Sequence, residues 1–359
     1  MKLCFTVTND LTYDQRMDRI CTALANAGFE VELVGRKKRN SQILKEKQFV
    51  QKRLNCWFSN GKIFYLEYNF RLFLYLLFSA KDVYCAIDLD TIIPNLWVAK
   101  LKGKKLGYDA HEYFTEMEEL AHRPFTKRIW KMVERFAVPK VNFAYTISNG
   151  YKQLFEAEYP IKFEVIRNVG YKNLYPSTKS EKPVILYQGA VNVGRGLEET
   201  IEAMQNIDAK LLICGSGDII DQLKALVNQL GINNKVEFKG YVAPDELKKI
   251  TPTATIGLTL FTNEGLHNTN SLCNRFFDYY LAGLPQLTIS YNEYIAFNQQ
   301  FEVAYLINKV KLSEIEEGIN FMLQNPDYLA KLSENCRAAA KLHNWEEEQQ
   351  KLVAIYRNL

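Results

Sequence analysis

Four histidines, no Cys-x-x-Cys pair and no cysteine set beside a histidine leave little from which to build a zinc site or a disulfide framework. The seven cysteines (Cys4, Cys21, Cys56, Cys85, Cys214, Cys273 and Cys336) are scattered, mostly in apolar strand-like or helix-like contexts. That usage fits reduced thiols in a cytosolic setting. No secretory leader is expected, because Lys2 runs straight into a short strand rather than a long apolar stretch. Long hydrophobic runs are also missing. The best candidate, FRLFLYLLFSA from 70, is broken by Arg71 and falls short of the roughly 20 residues of a spanning helix. Short-period repeats and low-complexity tracts are absent. A formal charge of +4 is too small to imply nucleic acid as a partner. A soluble cytoplasmic protein is the expectation.

What is present is enough for two cores, since 359 residues exceed what one hydrophobic core usually organises. The charge is uneven. Between Arg36 and Arg53 stand Arg36, Lys37, Lys38, Arg39, Lys45, Lys47, Lys52 and Arg53 against Glu46 alone. This segment reads either as a solvated loop and helix face or as a patch drawn to an anionic membrane surface or acceptor.

The opening KLCFTVTND is a β-rich run, QRMDRICTALANAGF follows with helical spacing, and EVELVG reads as a second strand. Strand, helix, strand begins a right-handed βαβ unit. Further strands are expected at KIFYLEY (62–68), DVYCAID (82–88), KLGYDA (105–110) and FAYTIS (143–148). The run at 64–78 reads mostly as core strand plus core helix. A polar Pro- and Ser-containing linker, YKNLYPSTKSEKP, follows EVIRNVG. A second alternating series then starts at VILYQGA (184–190) and passes through LEETIEAMQ, KLLICG, DIIDQLKALVNQL, KVEFKG, PDELKKI and ATIGLTLF. The pattern predicts two doubly wound α/β domains, joined near 170–182, with ligands beyond the carboxyl ends of the strands.

Several motifs lie at those strand ends. Gly215-Ser216-Gly217-Asp218 suits a tight strand–helix turn beside a nucleotide pocket, but Ile220 stands where a dinucleotide fingerprint needs glycine. Gly194 and Gly196 flank Arg195, which suits close contact with a phosphate group. His111, in YDAHEYF, follows a strand and is flanked by the acids Asp109 and Glu112, as suits an imidazole that meets a ligand hydroxyl. Asp88-Leu89-Asp90 has the spacing of a metal-binding pair, yet Asp90 reads at least as well as the N-cap of a helix. Finally, NSLCNRFFDYYLAGLP (270–285) sets Asp278 among aromatic residues, where a carboxylate is costly unless something pairs with it.

As an ordered set, TNDLTYDQRMDRICTALANAGFEVELVG, DLDTIIPNLWVAK, YDAHEYF, VIRNV, YQGAVNVGRGLEE, LLICGSGD, VEFKGYV and NSLCNRFFDYYLAGLP resemble the retaining glycosyltransferases of family 4, which have the GT-B fold. Several of these stretches look most like bacterial enzymes of surface-polysaccharide assembly. The resemblance implies two Rossmann-like domains facing a central cleft, an acceptor domain at 1–170 and a nucleotide-sugar donor domain at 171–343. It also implies a C-terminal helix at 344–359 that crosses back to the first domain. In the family's E-x7-E motif the second acid corresponds to Asp278, which is to hold the ribose hydroxyls. The first corresponds to Asn270, which is to contact the donor sugar. Ser271, Asn274 and Arg275 are placed to add to a diphosphate cradle at a helix start.

Ala190 stands where the family often has arginine, and Arg195 where it has lysine. Arg195 and Arg275 are therefore expected to share the neutralisation of the leaving diphosphate. His111 would bond a sugar hydroxyl, its backbone carbonyl would face the developing positive charge, and Tyr241 would lie near the base. Asn9, Asp10 and Arg16 are the acceptor-side candidates.

The activity implied is retaining, metal-independent transfer of a hexosyl or N-acetylhexosaminyl group from a UDP- or GDP-sugar, with no separate cofactor. The acceptor is a hydroxyl of a glycan or a lipid-linked molecule, with the 36–53 segment and the 64–78 run as candidates for peripheral docking on the inner membrane face. Two alternatives stand beside it: a non-catalytic nucleotide-sugar-binding or partner subunit, which Ala190 and Asn270 favour, and a GT-B sugar-nucleotide epimerase.

Overall fold

The computed structural model describes residues 1–117, 120, 123–173, 175, 182–262 and 265–359. The chain divides into two compact units, residues 1–168 with 349–359, and residues 169–348. Val169, Gly170 and residues 344–348 thus belong to the second unit, a small shift from the boundaries expected from sequence.

In the first unit β1 (Lys2–Thr6), α1 (Gln15–Asn26) and β2 (Glu30–Lys37) form the expected βαβ start. They are followed by β3 (Val50–Asn55), α2 (Gly61–Phe78), β4 (Val83–Ile87), α3 (Ile92–Lys102) and β5 (Lys105–Ala110). After these come α4 (Pro124–Ala137), β6 (Phe143–Thr146), α5 (Asn149–Glu158) and β7 (Phe163–Val165). Among the described residues the sheet runs β3-β2-β1-β4-β5-β6-β7, every pair parallel. The central strand β4 is buried along its whole length, as a sheet covered on both faces requires.

Local chemistry sets the helix starts. Asp14 caps α1 by accepting from the Met17 amide at 3.0 Å, and Ser148 caps α5 by accepting from Tyr151 at 3.1 Å. Two sequence expectations fail here. KIFYLEY is not a strand but the first two turns of α2, which buries Phe64, Tyr68, Leu72 and Leu76. Four-residue spacing is the mark of one helical face, and it outweighs the local β-branched and aromatic content. The third strand lies instead at VQKRLN, inside the basic segment. As an edge strand it is polar and only partly buried, the usual protection of a sheet edge.

The second unit repeats the plan with β8 (Val184–Gln188), α6 (Leu197–Ala203), β9 (Lys210–Cys214), α7 (Ile220–Leu230), β10 (Val236–Gly240) and α8 (Pro244–Ile250). It continues through β11 (Ile256–Thr259), the single turn α9 (Leu266–Thr269), α10 (Asn274–Leu281), β12 (Gln286–Ile289), α11 (Asn292–Gln300) and β13 (Ala304–Ile307). The parallel order is β10-β9-β8-β11-β12-β13, with the reversal between β8 and β11. This is the switch point at which ligands of open sheets bind.

Helices α12 (Leu312–Gln324) and α13 (Pro326–Leu342) follow, and Asn344 caps α14 (Trp345–Arg357) by accepting from the Glu347 amide at 3.0 Å. The last eleven residues belong to the first unit, where the Tyr356 hydroxyl lies 3.1 Å from that of Tyr145. The linker expected near 170–182 falls partly outside the described residues.

Candidate active site

In the first unit the carboxyl ends of β1, β4 and β5 gather a buried charged cluster. Asp109 is fully buried at the end of β5, with Arg16 Nη2 donating to its Oδ1 at 3.0 Å and His111 Nε2 lying 2.8 Å from its Oδ2. Burial works against the Asp109 carboxylate, but the charges of Arg16 and His111 outweigh it and hold its pKa below the ordinary value. Burial likewise opposes the His111 cation, and the charge and hydrogen bond of Asp109 overcome it, so that pKa rises. With Nε2 committed to Asp109, Nδ1 is the ring nitrogen without a hydrogen-bond partner among the described residues. The side chain keeps 18% of its exposure, enough for one edge to meet a ligand.

The backbone here is fixed by Asp88. Its Oδ1 accepts from the amides of His111 at 2.8 Å and Glu112 at 3.2 Å, and its own amide donates to the Asp109 carbonyl at 2.9 Å. These bonds hold Asp88 at φ 54°, a costly angle for a residue with a Cβ. Burial pushes its carboxyl up to about 8 and that of Asp90 up to about 6. Asp90 does not cap the following helix as expected. It sits in a short turn, where its Oδ2 accepts from the Thr8 hydroxyl, and α3 begins after Thr91.

The acceptor-side candidates separate. Arg16 is turned inward, 5% exposed, and spends its second nitrogen on the Ile166 carbonyl at 3.0 Å. Its guanidinium is thus engaged with Asp109 and the backbone inside the first unit. Asn9 and Asp10 remain at the surface but stiffen their own loop. Asn9 Nδ2 donates to Asp14 at 2.6 Å, and Asp10 accepts from the Thr12 amide at 3.2 Å and the Ser41 hydroxyl at 3.1 Å.

In the second unit the decisive residue is Arg275, second in α10. It is 8% exposed, yet among the described residues no carboxylate pairs with it. Nη1 donates to the Tyr187 hydroxyl at 3.0 Å and Nη2 to the Leu260 carbonyl at 3.4 Å, while Nε has no partner. The guanidinium lies 4.7 Å from the centre of the Phe261 ring, and that of Arg195 lies 4.8 Å from the same ring. Two cations thus share one aromatic side chain. Like charges in such proximity repel, so an anion bound there would relieve both.

The loop carrying Arg195 is seated by glycine. Gly196 has φ 68°, and a Cβ on it would come within 2.7 Å of Val310. Gly215 and Gly217 have a packing role: a Cβ on either would come within 1.8 Å of the Gly189 carbonyl oxygen or 2.2 Å of that of Val191. That close approach is what the Gly-Ser-Gly motif permits.

One turn after Arg275, Asp278 lies on the exposed face of α10 rather than in the aromatic core, because Phe276, Phe277, Tyr279 and Tyr280 take the buried positions around it. Its Oδ2 accepts from Gln188 Nε2 at 3.0 Å, and Gln188 Oε1 in turn accepts from Thr251 at 2.9 Å. Gly170 passes beside it, where a Cβ would be 4.0 Å from Asp278 Oδ1.

The two acids' counterparts do not share one helix. Asn270 ends the single turn α9, with Nδ2 donating to the Leu266 carbonyl at 3.0 Å and the Thr269 hydroxyl at 2.9 Å. Ser271 spends its hydroxyl on the His267 carbonyl at 2.7 Å, while Asn274 is exposed at the first position of α10. Tyr241 is 70% exposed after the edge strand β10.

Residues 176–342 match the family model described as glycosyl transferases group 1, just under half of the chain. An uncharacterized glycosyltransferase of Methanocaldococcus jannaschii, MJ1607, is 40% identical over 82 residues. That stretch is 22% of this chain and 21% of that protein, so the match spans about a fifth of its relative. Sucrose-phosphate synthase from Thermosynechococcus elongatus superposes with a TM-score of 0.83 at 16% identity, over 100% of this chain and 98% of that one. Anabaena HepE in complex with UDP-glucose gives 0.79 at 15% identity, over 100% of both chains.

The fold is GT-B.

Together with the match over most of the second unit, this supports a glycosyltransferase. Within the GT-B chain, sequence reasoning missed Gln188 and Thr251, which orient Asp278. A glutamine ending an otherwise apolar strand, VILYQ, was the available signal. It also missed that Arg16 and Asp109 pair, since 93 residues separate them.

Proposed function

We propose that this protein is a retaining glycosyltransferase of family 4, moving a hexosyl or N-acetylhexosaminyl group from a UDP- or GDP-sugar to a hydroxyl of a glycan or lipid-linked acceptor. Bacterial surface-polysaccharide assembly is the setting that the sequence favours. The observation that carries the reading is Arg275, a buried guanidinium with an unused Nε and no acid partner among the described residues, beside Arg195 at a switch-point helix start. A leaving nucleoside diphosphate supplies the missing charge, and stabilising it there lowers the barrier without a metal ion.

Asp278, set by Gln188, accepts from the ribose hydroxyls. His111, anchored by Asp109, offers Nδ1 to a hydroxyl of the donor sugar, and its carbonyl faces the charge that develops at the anomeric carbon. Asn270 and Ser271 contribute to the sugar and phosphate contacts. Transfer proceeds by front-face attack of the acceptor hydroxyl, with no protein nucleophile.

His111→Ala tests this directly: transfer is lost while nucleotide binding is largely kept, and undiminished transfer would remove the imidazole from the mechanism. A thermal-shift panel of UDP- and GDP-sugars identifies the donor, because a bound ligand raises apparent stability. A second reading, a non-catalytic nucleotide-sugar-binding subunit, draws support from Asn270, whose amide hydrogens are spent on Leu266 and Thr269. It predicts nucleotide binding with neither transfer nor hydrolysis.

A further inference from the structure

The loop between β3 and α2 carries the indole of Trp57, 86% exposed. Tryptophan is on average well buried, so a free indole marks a candidate contact. This one is built into the fold rather than loose. Glu67, in the second turn of α2, accepts from the Trp57 amide at 2.9 and 3.0 Å and from the Phe58 amide at 2.9 Å. The same carboxylate accepts from Arg71 Nε at 2.7 Å, and the Arg71 guanidinium lies 4.5 Å from the centre of the Trp57 ring. Arg36 fixes the end of the loop, donating to the Ser59 carbonyl at 2.7 Å and lying 4.0 Å over the Phe64 ring. Phe64, Tyr68, Leu72 and Leu76 in turn seat α2 in the core of the first unit. The indole is therefore held by its own backbone and backed by a cation on one face, with the other face open to solvent.

A flat, rigid aromatic face suits a pyranose. The C–H bonds on one side of a sugar ring meet the negative face of the indole, while its hydroxyls reach polar groups at the rim. Asn60, the exposed N-cap of α2, makes no cap hydrogen bond with its side chain, so its amide is free to meet such hydroxyls. A platform fixed before the ligand arrives loses little entropy on binding. Position decides which sugar of a chain it holds. Trp57 follows β3 at the carboxyl edge of the sheet, the edge at which His111 follows β5. In the order β3-β2-β1-β4-β5 the two lie four strand spacings apart, or about 19 Å. A ring on Trp57 is thus too far from His111 to be the one that reacts.

We propose that Trp57 is the stacking platform of an outer acceptor subsite, holding a sugar ring remote from the point of transfer. The acceptor is then a chain of several sugars rather than a single sugar or a bare lipid carrier. The assignment rests on the transfer reading for the ligand's role, but the binding it requires is measurable without transfer.

The full chain, without nucleotide, is titrated with neutral tetrasaccharides of glucose, of galactose and of N-acetylglucosamine while tryptophan fluorescence is followed. At least one should give a saturable change that Trp57→Ala abolishes. By calorimetry, Trp57→Ala should weaken that tetrasaccharide about five- to tenfold, and Trp57→Phe, which keeps a ring, by less. The side chain is exposed, so unfolding midpoints should not move. In transfer, Trp57→Ala should raise the ratio of KM for the tetrasaccharide to KM for the single sugar by the same factor. Three results would overturn the subsite: no tetrasaccharide changes the fluorescence, Trp57→Ala binds as the parent does, or Trp57→Ala costs both acceptors equally. Loss of binding to phosphatidylglycerol vesicles in Trp57→Ala, with tetrasaccharide binding kept, would overturn it too and give the ring to a lipid surface. Glycan binding through Trp57 with no transfer from any sugar nucleotide counts against the transfer reading, whereas transfer without glycan binding at Trp57 counts against the subsite.

Discussion

Two buried arginines, one in each unit, show how differently a protein can treat the same charge. Arg16 is 5% exposed and faces Asp109 at 3.0 Å, which in turn holds His111. Arg275 is 8% exposed and faces a phenol, a carbonyl and two aromatic rings. The first charge is compensated within the fold. The second has only hydroxyl, carbonyl and ring electrons to stabilise it, and its Nε has no partner. A paired buried cation therefore reads as positioning, and one without an acid partner reads as binding.

The largest effect should come from breaking the paired case. Asp109→Ala strands the Arg16 cation in the interior and should cost about 3–5 kcal/mol of stability in urea unfolding. It should also lower the His111 pKa, because burial and the Arg16 charge then act without Asp109 to oppose them, which a proton-NMR titration of the ring would follow. Arg275→Met is the counterpart. It should leave the unfolding midpoint unchanged or raised, because the charge it removes has no acid partner. Nucleotide affinity should fall by about 10- to 100-fold, as for charged hydrogen bonds of about 1.5–3 kcal/mol, measured by calorimetry. A strong loss of stability instead would mean that Arg275 is structural and the contrast false.

A smaller change sharpens the neighbouring contact. Gln188→Leu frees Asp278 from its fixed orientation and should weaken nucleotide binding several-fold, about 1 kcal/mol, whereas Asp278→Ala should weaken it more. Equal affinity in both variants and the parent would remove the ribose role from Asp278.

A last effect is on pH dependence. Asp88 is raised from 3.8 to about 8 by burial, so the folded state holds a proton that the unfolded state releases between those values. Stability should fall as pH rises through that window. The raised His111 pKa acts in the same direction, since its contribution is present below the ordinary imidazole value and fades above the folded one. Asp88→Asn keeps an oxygen for the two amides and should flatten the slope of melting temperature against pH.

Much of this was legible in the residues themselves. Alternating strand and helix periods, a polar linker and glycines at strand ends specified two doubly wound units, because those patterns are local and repeat every two or 3.6 residues. Arg195 was nameable from the glycines that flank it at a strand end, and Arg275 and Asp278 through the resemblance to family 4, whose motif counts back from the Gly-Leu-Pro turn.

What only the tertiary structure decided was the environment of each group. Nothing near position 16 announces an acid 93 residues away. No short-range pattern says that an aspartate among four aromatic residues faces outward, or that α4 turns its one glutamate, Glu134, to the core. Burial and charge compensation are sums over distant neighbours. They exist only once the sheets have brought those neighbours together.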